Sequence, residues 1–134
     1  MTGTADALDR ALAYLAAMEA RDLESARHQV AEGDLELVFP GGRRFTRIDQ
    51  IVQNSSGRYR LVKKRITGRE AWASDGRVKV LITGTLYGAW PDGTPFENIR
   101  FADLFEFDGG RIVKQHVWND AGEHILARQQ KARK

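Results

Sequence analysis

Residues Ile99 to Phe107 alternate without a break, and that alternation restricts the fold more than anything else in the chain. Successive side chains of a strand point to opposite faces. Ile99, Phe101, Asp103, Phe105 and Phe107 therefore share one face, and four of the five are large and apolar. Asp108-Gly109-Gly110 follows, a turn of residues that tolerate positive φ. Arg111 to Trp118 then reads as a second strand. The aromatic face of this hairpin needs apolar cover from elsewhere in the chain. Asp103 interrupts that face, where period two calls for another apolar residue. An acid among phenylalanines is neutral, paired, or at the rim of a cavity.

The cover comes from the N-terminal half. Leu8, Leu12, Leu15 and Met18 recur at helical spacing, reinforced by Ala11 and Ala16, Thr4 is a candidate cap, and Tyr14 lies on the flank of the stripe. Arg21-Asp22 breaks this helix, and Asp22 caps a second one through Leu23, Ala26 and Val30, ending at Gly33. Leu35 to Phe39 reads as a short strand closed by Pro40-Gly41-Gly42. Thr46-Arg47-Ile48-Asp49 resembles a capping signal for a third helix through Ile48, Ile51, Val52 and Tyr59, weakened by Ser55-Ser56-Gly57. From Leu61 the chain reads as strands. One includes Lys64, Ile66 and Trp72, and a long one runs from Arg77 to Trp90, with Gly84 and Gly88 marking a bend. Ala121 to Lys134 reads as a helix fraying into a basic tail, 128–134. Helices grouped before strands imply an α+β fold: three N-terminal helices on a strongly curved, mostly antiparallel sheet, the Asp103 face turned inward.

Composition narrows the function classes. The 134 residues, with 42% hydrophobic and 29% charged, describe one soluble domain, 1–134. The chain has no cysteine, so disulfides, thiol nucleophiles and thiolate metal sites are excluded. His28, His116 and His124 fall in three different elements without metal-ligand spacing, and no metal or cofactor is expected. Neither a signal peptide nor a membrane span is evident, which leads to the expectation of a cytoplasmic protein. Arg128, Lys131, Arg133 and Lys134 account for the positive balance, because without these four the net charge falls from +3 to −1. A charge so localised argues against nucleic-acid binding.

Tyr14 within Ala13-Tyr14-Leu15-Ala16-Ala17, the break at Arg21-Asp22-Leu23, the strand before Pro40-Gly41-Gly42 and the hairpin Phe101 to Val113 together resemble the nuclear transport factor 2-like superfamily, in its SnoaL-like and ketosteroid isomerase-like branch. The resemblance spans nearly the whole chain. It implies a cone-shaped fold enclosing a pocket, hosting isomerases, dehydratases, cyclases, epoxide hydrolases and non-catalytic adaptors. In ketosteroid isomerase a helix-one tyrosine and a protonated aspartic acid form the oxyanion hole, a well-known case of a carboxylic acid kept neutral. Tyr14 and Asp103 match those two positions, whereas the general base falls near Val38, which takes no proton. The Arg-x-Asp of the epoxide hydrolases has no match in Thr83-Gly84-Thr85, and their second aspartate falls near Val117.

The resemblance places Asp103 and Tyr14 as acid and oxyanion donors at the bottom of a cavity lined by Met18, Phe39, Tyr59, Trp72, Phe101 and Phe105. Val113, Gln115, Val117 and Asn119 face the same pocket. The implied ligand is a small apolar or aromatic molecule, turned over by cofactor-independent isomerisation, dehydration or cyclisation, or simply bound. The opposite face of the hairpin carries Leu104, Ala102, Ile112 and Trp118 among Arg100, Glu106, Lys114 and His116. That convex face is too apolar to stay wet, and it suggests a homodimer with His116 in an interface hydrogen bond.

Overall fold

A computed structural model describes residues 3–132. Three helices come first, interrupted by two short strands: α1 (Thr4–Glu19), α2 (Leu23–Arg27), β1 (Glu36–Phe39), β2 (Arg43–Phe45) and α3 (Ile48–Arg58). Four long strands follow, β3 (Leu61–Ser74), β4 (Arg77–Ala89), β5 (Pro95–Asp108) and β6 (Arg111–Asn119), and α4 (Ala121–Ala132) closes the chain. The six strands form one curved sheet in the order β2-β1-β6-β5-β4-β3. Every pair is antiparallel except β1 with β6. This is the α+β architecture expected from the sequence, with one parallel pair where the chain enters the sheet from α2. No helix among the described residues is long and apolar enough to cross a membrane.

Helix α1 lies across the inner face of the sheet. Its deepest residues are Ala7, Ala11, Tyr14 and Leu15, at i, i+4, i+7 and i+8, with Met18 one turn further on. The stripe is therefore turned from the one the leucines suggest: Leu8 and Leu12 are only half-buried, and Tyr14 sits at its centre. Gly3, not Thr4, is the N-cap. Asp22 does cap α2, accepting the Ser25 N–H at 3.1 Å. The helix stops at Arg27, because Val30 leaves it to bridge Ile112. Ahead of α3, Gln50 accepts the backbone N–H groups of Thr46 and Arg47, the reach-back half of a capping box. Ser55-Ser56-Gly57 stays helical to Arg58, and Tyr59 is already extended.

Two bulges correct the period-two reading. Ile66 pairs with Gly84 but Gly68 pairs with Thr83, so Thr67 is an extra residue in β3. Beyond it the faces exchange: Ala71 packs on the core while Trp72, opposite Lys79, points to the outer face and is 40% exposed. In β6, Lys114 pairs with Glu106 and Ile112 with Phe107, which leaves Val113 unpaired. Ile112 therefore belongs to the core, fully buried, and not to the convex face. Ile99, Phe101, Asp103, Phe105 and Phe107 do share the inner face, all of them buried.

The C-terminal helix runs to Ala132, and Arg133 and Lys134 lie outside the described residues. Arg128 is not part of a free tail. It bonds Asp92 at 2.8 Å and lies over the Trp90 ring at 5.4 Å.

Gly84 and Gly88 mark the coil of β3 over β4. A methyl at Gly84 would collide with the Arg65 carbonyl oxygen, and one at Gly88 with that of Leu61. Gly57, by contrast, has open space around it within α3. Gly84→Ala is expected to destabilise the protein by about 1–3 kcal/mol, the usual cost of overpacking. Gly57→Ala is expected to stabilise it by about 0.5–1 kcal/mol through helix propensity. Urea denaturation of the two variants measures both, and a neutral Gly84→Ala would show that the coil has another origin.

Candidate active site

A cavity of about 100 Å³ opens between α1, α3 and the inner face of the sheet. Its floor is Asp103, Gln115, Tyr14, Phe101 and Val117. These side chains meet because β5 and β6 pair Asp103 with Val117 and Phe105 with Gln115, while α1 lays Tyr14 over them. The Tyr14 hydroxyl donates to Gln115 Oε1 at 2.9 Å, and its ring meets Phe105 edge-on at 5.8 Å. That bond fixes the Gln115 amide, leaving its NH2 group for Asp103 and the cavity.

Asp103 is 1% exposed, and neither carboxyl oxygen has a hydrogen-bond partner of proper geometry within the protein. Burial pushes its carboxyl well above the ordinary carboxylate range. The Lys64 charge and the Gln115 amide act in the opposite direction, but burial outweighs them. Tyr14 is likewise raised, by burial first and then by the nearby Asp103, so its hydroxyl keeps its proton. The floor thus holds a carboxylic acid whose O–H is uncommitted and an amide held in one orientation.

Most residues that the sequence nominates as ligand contacts do line the cavity: Met18, Phe39, Tyr59, Phe101, Gln115 and Asn119. Two do not. Phe105 is buried behind Tyr14 as part of the core, and Trp72 is on the outer face beyond the Thr67 bulge. Val113, the unpaired bulge residue, is outside the lining as well. Val38, near the isomerase base position, pairs with His116 and Arg44 on the outer face; Leu37 and Phe39 face inward instead.

The lining also contains Glu19, Arg21, Arg43, Asn54, Arg58 and Lys64, which the sequence did not single out. Lys64 was within reach of a pattern reading, since Val62, Lys64 and Ile66 alternate toward the inner face before the bulge. Arg43 was hidden because Arg43–Phe45 adds a strand where the glycines read only as a turn. Glu19 is the last residue of α1 and accepts the Lys64 backbone N–H at 3.4 Å.

No model of a known protein family matches the chain, and no curated protein matches it. Solved structures do match, over nearly the full length. An NTF2-like protein of unknown function from Burkholderia pseudomallei superposes with a TM-score of 0.74 at 18% identity, covering 94% of this chain and 97% of that one. TerC, co-crystallised with polyporic acid, gives 0.74 at 17% identity over 90% of this chain and 96% of its own. A candidate SnoaL-like polyketide cyclase from a Jannaschia species gives 0.74 at 13% identity, covering 95% and 94%. The chain has the NTF2-like fold, in the cone-shaped form that its own hairpin and helix break imply.

Stability should report the state of Asp103. Its carboxyl is raised in the folded protein above the ordinary 3.8. Below that value both folded and unfolded chains carry the proton, and the residue contributes no pH dependence. Above it the unfolded chain releases a proton that the folded chain retains, so stability falls as pH rises until the folded group ionises. Asp103→Asn removes this cost and should stabilise the protein by about 1–3 kcal/mol at pH 7, with the gain shrinking toward pH 4. Thermal melts across that range measure it. A variant less stable at pH 7 would show an ionised, paired Asp103.

Proposed function

We propose that this protein binds a small apolar or aromatic ring compound in the Asp103 cavity and transforms it without a cofactor, by isomerisation, dehydration or cyclisation. The observation that carries the reading is the buried, unpartnered Asp103 carboxyl on the floor of an open cavity. A neutral carboxylic acid donates a hydrogen bond to a carbonyl oxygen, and that bond strengthens as negative charge develops there. Tyr14 acts through Gln115, whose amide N–H is the second donor. Asp103 and Glu19 are the two carboxylates of the lining. Glu19 is the candidate base, taking the proton from the carbon next to the carbonyl while the electron pair moves onto the oxygen held by Asp103. Similar folds named as candidate polyketide cyclases support a polyketide-like or alicyclic substrate in the SnoaL-like manner. A binder without turnover is the second reading, favoured by the backbone hydrogen bond that engages Glu19.

Exchange of the α-protons of β-tetralone into D2O, followed by NMR, separates the two. Catalysis predicts exchange faster than buffer alone. Asp103→Leu should slow it on the order of 10²–10³-fold, the usual loss for one oxyanion donor, and Glu19→Gln should slow it as well. Binding of β-tetralone with no acceleration would leave the binder reading, and an unchanged rate in Asp103→Leu would remove Asp103 from the chemistry.

We also infer that two copies meet through the outer face of the sheet. Trp118 is 55% exposed there, joined by Trp72 and by half-buried Leu81, Leu104 and Val38. Among these lie Lys79, Glu106, Lys114 and Glu36, paired along one row of the sheet. Glu106 bonds Arg77 and lies near Lys79 and Lys114, which hold its carboxyl below the ordinary range despite partial burial. His116 has a partner in its own chain, Glu36 at 2.7 Å, so it enters the interface already hydrogen-bonded. Light scattering should give twice the chain mass at micromolar concentration, and Trp118→Arg should shift it toward one chain. A wild-type monomer would overturn the dimer.

A further inference from the structure

The mouth of the cavity carries a charge pattern that the acid–base reading does not use. Arg21, Arg43, Arg58 and Lys64 reach it from four different elements: the turn after α1, β2, the end of α3, and β3. None of the four has an acidic partner within 4 Å among the described residues. Two of the arginines are positioned by neutral acceptors. Arg21 donates to the Met18 carbonyl at 2.9 Å and to Ser55 Oγ at 3.1 Å, and Arg43 to the Pro40 carbonyl at 3.2 Å and Asn54 Oδ1 at 3.2 Å. Such contacts fix a guanidinium without neutralising it. Arg21 does this from a left-handed backbone at φ 61°, a conformation that non-glycine residues adopt at a cost.

Like charges brought together without counter-ions repel, so the arrangement disfavours the empty site unless something else is gained. Arg43 feels this directly: burial and the neighbouring Arg58 charge hold it below its ordinary value. Of the two carboxylates in the lining, Asp103 is the one that burial keeps protonated, which leaves Glu19 to answer four cations. Lys64 sits over the Phe101 ring at 5.4 Å, so a ligand stacked on that aromatic floor has a cation beside it.

We propose that the ligand is a ring compound bearing a carboxylate, its ring toward Phe101 and Asp103 and its carboxylate among Arg21, Arg43, Arg58 and Lys64. Planar guanidinium groups match the two oxygens of a carboxylate in paired hydrogen bonds. The inference rests on the cavity being the ligand site and names the class of ligand it takes.

Calorimetric titration with benzoate, benzamide and phenyl phosphate tests it, because the three share a ring and differ in charge. Benzoate should bind at least about tenfold more tightly than benzamide, the order expected for one charge-assisted contact. The preference should weaken with added salt. Arg43→Gln and, separately, Arg58→Gln should each reduce it, weakening benzoate more than benzamide. Two single variants guard against one that fails to fold, and the salt series uses the unaltered protein. Equal binding of benzoate and benzamide, or a preference that survives both substitutions, would overturn the carboxylate mouth. Tighter binding of phenyl phosphate would replace it with a phosphate site. The titration needs no turnover, so it is separate from the β-tetralone exchange. Benzamide binding without a benzoate preference defeats this inference and leaves the acid–base reading standing. Binding of none of the three defeats this inference and the cavity reading together.

Discussion

Everything in this molecule follows from a sheet that curls far enough to leave space beneath it. A flat six-stranded sheet would press α1 along its whole length and have no cavity. The curl is produced where β3 crosses β4 at such close range that side chains at positions 84 and 88 would strike backbone oxygens of the neighbouring strand. Glycine there removes the obstacle, and the bulge at Thr67 adds local twist in the same strand pair. Helix α1 answers with alanines at 7 and 11, which bring its backbone close at one end. At the other end Tyr14 and Met18 hold it off the sheet, and the cavity lies at that end.

Into this space the fold places a group that costs stability. A buried carboxyl without a hydrogen-bond partner is the kind of defect that packing normally removes. Here Tyr14 could have been its partner, yet the hydroxyl goes to Gln115, and Asp103 lines the cavity with neither carboxyl oxygen bonded. Had the tyrosine bonded the acid directly, the interface would be satisfied and inert. The three-residue arrangement instead separates the roles. In the proposed chemistry Tyr14 supplies orientation, Gln115 supplies an amide, and Asp103 supplies an uncommitted proton. The unsatisfied carboxyl, set among well-packed Phe101, Phe105 and Ile82, is the feature on which the proposed ligand site rests.

How much of this was legible in the sequence depended on whether the strands kept their period. The hairpin face from Ile99 to Phe107 is uninterrupted, so the inward direction of Asp103 and the burial of its neighbours followed from alternation alone. Trp72 and Ile112 were placed on the wrong faces for one reason. A single extra residue, Thr67 in one strand and Val113 in the other, exchanges the faces of everything beyond it. Neither bulge has a glycine at the unpaired position to announce it. The helical residues were misjudged differently. Of the stripe expected in α1, Ala11, Leu15 and Met18 are buried, but Leu8 and Leu12 are only half-buried and Ala16 is exposed, which moves Tyr14 from the flank to the centre. The basic mouth was invisible because its four cations are scattered from position 21 to position 64, and only the tertiary fold gathers them.

The floor and the mouth of the cavity are linked electrostatically. Lys64 favours the ionised form of Asp103, so in the empty site this cation works against the proton that the proposed chemistry needs. A carboxylate ligand among those cations reverses the effect. Its charge offsets that of Lys64, and as a like charge near Asp103 it favours the protonated acid. It also excludes water from the mouth, which deepens the burial already responsible for the raised carboxyl. Binding of an anionic ring compound would therefore hold the acid at the floor in the protonated form from which it donates to a developing oxyanion.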